Sequence, residues 1–253
     1  FYGDVRLYDD QGTGIHFYTN REDTIADQEM TVELSRIDLK QFKKVLPYLP
    51  DVEGWLGGSA HYVDSEGQMM LSADVSLDHF VYQKSPLGNW AMNGVYLPGD
   101  NNAHHVDGFI THNDQEIIYM NGIYQADETG KENITGELEL QHFPLWVINL
   151  FVPDGIVNFR WVIDGTLAME GNPLKPVLNG GLQLDSVLMV MPDMSIGFRF
   201  DNKQVKMQDS KMVFDKFNIY TRGETPFVVN GSVDFSDLEK MMVDLRMKTS
   251  NYE

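Results

Sequence analysis

His104, His105 and His112 fall close to Asp107 and Asp114 in a polar stretch of the chain. Alternate positions of a strand share a face, so such a group has the side chains to hold a cation. His105 and His112 are seven residues apart with Gly108 between them, a spacing that matches no zinc-ligand pattern. A solvated loop is the expectation there. Serines occur without a Gly-x-Ser-x-Gly turn, and there is no phosphate-binding glycine loop. No pair of Asp or Glu residues stands out as an acid–base couple. With no cysteine, disulfides, thiol chemistry and cysteine-bound metals are excluded. The expectation is a protein that is not an enzyme and needs no cofactor. Scattered carboxylates on an all-β scaffold, as glycosidases use, remain the enzymatic alternative.

The 253 residues carry 38 acidic and 19 basic side chains, a formal charge of -19. That balance argues against nucleic acid, where affinity comes mainly from Lys and Arg on phosphates. It also argues against electrostatic adsorption to an anionic membrane surface. No apolar run reaches the roughly 18 residues of a membrane-spanning helix. The opening Phe1-Tyr2-Gly3-Asp4-Val5-Arg6-Leu7 reads as strand, so the chain is expected to be a piece of a longer protein whose targeting segment lies outside it.

The elements that must carry any function are strands. From Val157 to Leu245 apolar side chains recur at every second position, as in Val157, Phe159, Trp161 and Ile163, and turn signals punctuate the chain at short intervals. Period-two alternation with few helices predicts an all-β, predominantly antiparallel protein whose strands have one apolar and one polar face. Two segments break the pattern. Residues 35–49 place Leu39, Phe42, Val45, Leu46 and Leu49 at helical spacing, with Ser35 and Asp38 as caps. Residues 143–152 bunch Trp146, Val147, Ile148, Leu150 and Phe151. Each is followed by Pro-Asp, a glycine and a strand. Asn93-Gly94-Val95, Asn179-Gly180-Gly181 and Asn230-Gly231-Ser232 add to the echo. The reading is two copies of a helix-plus-meander unit, 1–137 and 138–253, in one continuous elongated sheet.

From Leu145 to Phe235 the order of elements resembles the C-terminal domain of the TamB family, related to the AsmA-like envelope proteins. The residues that carry it are Pro144-Leu145-Trp146-Val147-Ile148-Asn149-Leu150, then Asp164-Gly165-Thr166-Leu167, then Asn172-Pro173-Leu174-Lys175-Pro176. Leu178-Asn179-Gly180-Gly181-Leu182-Gln183-Leu184 and Val229-Asn230-Gly231-Ser232-Val233 complete it. The match covers about ninety residues; Leu46 to Ser59 echoes the same theme in the first half. The resemblance implies a long curved sheet folded into an open apolar trough, a β-taco. It also implies a place in the periplasm of a Gram-negative bacterium, within an inner-membrane-anchored protein. The roles it implies are phospholipid movement between the two membranes or help with outer-membrane protein assembly.

A sheet face left open on this scale marks a binding surface, and acyl chains are its natural occupant. The expected lining is Phe159, Trp161, Ile163, Leu182, Leu184, Phe198, Phe200, Met212, Phe214, Val229 and Val233. The 14 methionines suit a soft lining for variable chains as well as they suit ordinary core filling. Phe214→Glu is expected to empty the groove and leave the sheet intact. Three alternatives stand beside lipid carriage. One is a scaffold that accepts strands of an outer-membrane barrel protein along its edge. Another is a carbohydrate-active β-sandwich with Trp55 or Trp90 serving sugars. The weakest is an outer-membrane barrel, disfavoured by the internal helices and prolines.

Overall fold

The computed structural model describes residues 3–19, 28–45, 48, 50–65, 68–99, 102–127, 129–151, 157–221, 223, 225–237 and 240–249. The protein is all-β, and every strand pairing given by the register is antiparallel. The chain divides into two compact units, residues 1–125 and 126–253.

The first unit is an eight-stranded meander in which each strand pairs with its sequence neighbours. Its strands are β1 (Asp4–Tyr8), β2 (Gly14–Thr19), β3 (Gln28–Asp38), β4 (Val52–Ser65), β5 (Gln68–Tyr82), β6 (Ser85–Pro98), β7 (Ala103–His112) and β8 (Gln115–Ala126). The expected helix over 35–49 is shorter than its spacing suggests. Ser35 to Asp38 belong to β3, where Ile37 and Asp38 pair with Leu56 and Trp55. Cross-strand hydrogen bonds outweigh the local helical pattern there. The helical turn spans only Leu39–Val45, capped by the Asp38 side chain, which accepts from the Lys40 amide. Residues 46, 47 and 49 of the expected helix lie outside the described residues.

The second unit contains β9 (Glu132–Pro144), β10 (Asn158–Gly171), β11 (Val177–Met191), β12 (Ile196–Phe200), β13 (Gln204–Gln208), β14 (Lys211–Tyr220), β15 (Phe227–Asp234) and β16 (Met242–Lys248). β12 and β13 lie end to end between β11 and β14, one long strand interrupted at 201–203. The second helical segment is a 3-10 helix over Leu145–Phe151; Phe143 and Pro144 finish β9, and Val152 lies outside the described residues. Asn149 ties it to β10: its side chain accepts from the Phe159 amide at 2.7 Å and donates to the Phe159 carbonyl at 2.9 Å. Leu145, its first residue, is buried in the core.

One device recurs across both units. His79, His142, Ser186 and Lys216 each sit at a break in strand register with φ between 47° and 53°. Each donates its backbone N–H to a side-chain oxygen on the facing strand or loop: Asn89, Asp164, Asn202 and Asn230, at 2.7–3.0 Å. Asp209, in the β13–β14 turn, does the same to Asn179. A β-bulge leaves one amide without its ladder partner, and the Asn or Asp oxygen replaces it, worth about 1 kcal/mol each. Three of these acceptors precede a positive-φ glycine: Gly165, Gly180 and Gly231. That gives Asp164-Gly165, Asn179-Gly180 and Asn230-Gly231 a structural role. Asn93-Gly94 has none of this kind, because the register runs unbroken through it.

Asp234 makes part of the second unit's stability pH-dependent. Asp234 accepts hydrogen bonds from the Ser236 side chain and amide, with the Lys211 ammonium 3.2 Å away, and its pKa falls from 3.8 to about 2. A depressed folded-state pKa means the stabilisation is complete above about pH 4 and lost as pH falls towards 2. The stability difference between the wild type and Asp234→Asn, followed by urea unfolding, is expected to shrink across that window. A pH-independent difference would refute this assignment.

Candidate functional site

The two faces of the first unit differ sharply, because the pleat sends successive side chains to opposite sides. One row of directly paired residues reads Leu7, Ile15, Leu34, Gly58, Val75, Met92, Ile110 and Ile118, one from each strand. The next row on that face is Val5, Phe17, Val32, Ala60, Ala73, Gly94, Gly108 and Met120. A third holds Met30, Tyr62, Leu71, Tyr96 and Val106. No charged residue occurs in these rows.

This face carries almost no core. Leu87 and Ile117 are the buried hydrophobic residues of the unit among those described. Val5, Leu7, Ile15, Met30, Leu71, Met92, Val106 and Met120 instead remain between 38% and 67% exposed. Across β4 to β7 the middle row is Ala60, Ala73, Gly94 and Gly108, so small residues run between walls of larger ones. At roughly 4.8 Å per strand, eight strands give a band on the order of 35 Å long, which exceeds an extended acyl chain.

The opposite face is polar. Arg6, His16, Glu33, Ser59, Asp74 and Asn93 form one cross-strand row, and Asp4, Tyr18, Thr31, His61 and Ser72 the next. His16 lies 3.0 Å from Asp4 and 3.3 Å from Glu33, Thr31 bonds His61 at 3.0 Å, and Tyr119 donates to Asp107 at 2.6 Å. Arg6 beside it holds the Asp4 carboxyl below its usual range, and the Asp107 carboxylate raises the Tyr119 phenol. A shallow concavity of about 390 Å³ lies on this side, lined by Ser59, His61, Ser72, Asp74, Asn93, Asp107 and Phe109.

The eleven residues expected to line a groove all belong to the second unit, and nine of them belong to or pack against its two apolar clusters. Ile163, Leu184 and Val229 are buried in one cluster with Val187, Val205, Phe217 and Ile219. Phe159, Phe198, Phe200, Met212 and Phe214 pack against that cluster, with Phe214 and Phe200 edge-on to Phe217. Leu182 belongs to a second cluster with Leu167 and Met207. Val233 is half-buried opposite Met212. Trp161 stands apart, 53% exposed and outside both clusters. The register shows why: Ser186 and Val187 of β11 together face Trp161, whose φ is 78°. The bulge turns the indole out, and Val187, only 1% exposed, fills the interior instead.

Since Phe214 packs against this core, Phe214→Glu probes core packing, and the exposed rows of the first unit are where a groove can be tested without that cost. Sequence reasoning missed those rows, although the polar partners Ser59, His61, Ser72, Asp74 and Asn93 alternate as clearly as any.

The histidine group is split by the pleat. His104 and His112 share the apolar side, while His105 and Asp107 point to the polar side. Among the described residues no group of three or more His, Asp or Glu is arranged to hold a metal ion. Both tryptophans considered for sugars have protein partners: the Arg36 guanidinium lies 5.2 Å over Trp55, and Trp90 donates to the Leu87 carbonyl and packs on His112. Among the described residues no helix is long and apolar enough to cross a membrane.

The fold and this face define an all-β protein with an exposed apolar sheet surface. The chain matches no protein-family model, no curated protein and no solved structure.

Proposed function

We propose that this chain is a non-enzymatic lipid-binding protein that holds phospholipid acyl chains against the apolar face of its first unit. One observation carries the reading: in three cross-strand rows without a charged residue, on a face with almost no core, eight large apolar side chains remain 38–67% exposed. Soluble monomers rarely expose contiguous apolar patches of more than a few hundred Å², and larger ones mark binding surfaces. Dispersion and hydrophobic contacts are non-directional, so a chain on such a face meets no deep well and can slide. An acyl chain of about sixteen carbons, half covered, gains roughly 6 kcal/mol at about 0.8 kcal/mol per buried CH₂. The resemblance to TamB supports placing this activity in a bridge across the periplasm of a Gram-negative cell, where phospholipid passes between the inner and outer membranes.

The test is transfer. Donor vesicles carrying a fluorescent phosphatidylethanolamine are mixed with unlabelled acceptor vesicles and the purified protein. Protein-dependent movement of label is expected, and transfer at the rate of buffer alone would overturn the proposal.

A second reading has its own support. β16 pairs with β15 alone among the described residues, and its Met242, Val243 and Met247 are well exposed. An edge of this kind can accept an added strand, as a scaffold for outer-membrane barrel assembly would require. Val243→Lys would impair strand addition and leave lipid transfer unchanged.

A further inference from the structure

We infer that His104 is the contact for the phosphate of a bound phospholipid; this rests on the lipid-binding reading above. His104 stands on the apolar side of β7, at the margin of the apolar rows, one step beyond Val106 on that face. It pairs directly with Tyr124 of β8 and lies diagonally from Tyr96 of β6. The Tyr96 hydroxyl and His104 Nδ1 are 2.5 Å apart, and the imidazole lies between the two phenol rings, 5.7 Å from Tyr96 and 5.6 Å from Tyr124. The ring is therefore held in place by two neighbours and one hydrogen bond.

That hydrogen bond fixes which nitrogen is available. With the phenol O–H donating to Nδ1, the imidazole carries its proton on Nε2. Nε2 has no protein hydrogen-bond partner among the described residues. A donor oriented in this way, half-buried beside an apolar surface, suits an oxygen anion that arrives attached to an apolar chain. Tyr62, Tyr96 and Tyr124 give the same margin an amphipathic character, apolar in the ring and polar at the tip, as at membrane–water boundaries. His105, the next residue, projects to the opposite face and is not part of this site. A phospholipid would thus lay its chains along the rows through Met92 and Gly94 and set its phosphate at His104.

The experiment compares two lipids with identical chains. Dioleoyl phosphatidylethanolamine and dioleoylglycerol are each incubated with the wild-type protein and with His104→Phe, which keeps a ring between the tyrosines and removes the donor. Lipid retained after gel filtration is measured by mass spectrometry. The wild type is expected to retain at least fivefold more of the phospholipid. His104→Phe should lose that preference while retaining dioleoylglycerol at the wild-type level, which also reports an intact fold. A preference that survives in His104→Phe, or no preference in the wild type, would overturn the role of His104 alone. Retention of neither lipid by the wild type would overturn the lipid-binding reading with it.

Discussion

Met92→Glu combined with Met120→Glu is expected to lower the lipid bound to the protein by at least about tenfold and leave the fold unchanged. The two residues lie on adjacent rows of the apolar face, on β6 and β8, and both are substantially exposed. Exposed substitutions of this kind usually alter stability by no more than about 0.5 kcal/mol. In the lipid-bound state each carboxylate would lie beneath an acyl chain and lose its water. That costs at least the roughly 2 kcal/mol per group of an uncharged polar group, and 1.4 kcal/mol is a factor of ten. The chain avoids part of the cost by shifting sideways, hence the lower bound. Met92→Leu with Met120→Leu keeps the surface apolar and should retain the wild-type amount. Lipid extracted from the purified variants and normalised to protein gives the comparison, with thermal unfolding as the control for fold. Equal lipid in the glutamate variant would remove this face from the account.

Gly180→Ala should destabilise the second unit by roughly 3 kcal/mol or more, by the sum of backbone strain and a backbone clash. Gly180 has φ +153°, and a Cβ there would lie 2.1 Å from the Thr166 carbonyl oxygen and 3.1 Å from the Leu167 Cα. Both obstacles are backbone of the neighbouring strand, so β10 would have to move off β11. Its direct partners Leu167 and Met207 are both buried in the second cluster, so the displacement opens the core. Gly130→Ala is the control. It also has a positive φ, +78°, but nothing lies within 4 Å of the added carbon. Its loss should be confined to conformational strain, about 1 kcal/mol. Urea unfolding followed by tryptophan fluorescence separates the two. Equal losses would mean that close strand approach at Gly180 contributes nothing.

The strands and their antiparallel order were legible because alternation directly reflects the pleat. Phe159, Ile163, Leu182 and Leu184 follow that alternation and lie in or against the two apolar clusters. Trp161 was not, because a bulge adds one residue to β11 and breaks the phase that alternation assumes. Its signal lay elsewhere in the chain: Asn202, which receives the Ser186 amide, and the Asp164-Gly165 and Asn230-Gly231 steps that accompany two of the other bulges. The helical spacing from Leu39 onward was real, but pairing of Ile37 and Asp38 with β4 took the first turn. The exposed face of the first unit was hard to read for a different reason. Its middle row is glycine and alanine from β4 to β7, and residues that small barely register as hydrophobic. Nothing in one-dimensional spacing distinguishes a covered apolar face from an open one. That difference between the two units is carried by burial, with Val187, Val205 and Val229 enclosed and Met92 and Leu71 not.

Mass spectrometry of an organic extract is the most direct test of lipid binding. The protein is purified from bacterial cells without detergent and extracted with chloroform and methanol, and phospholipid is quantified against protein. Lipid binding predicts phospholipid in near-stoichiometric amount, released by extraction and absent from Met92→Glu with Met120→Glu. A folded protein that yields no lipid would contradict it and leave strand addition at the β16 edge as the reading to pursue.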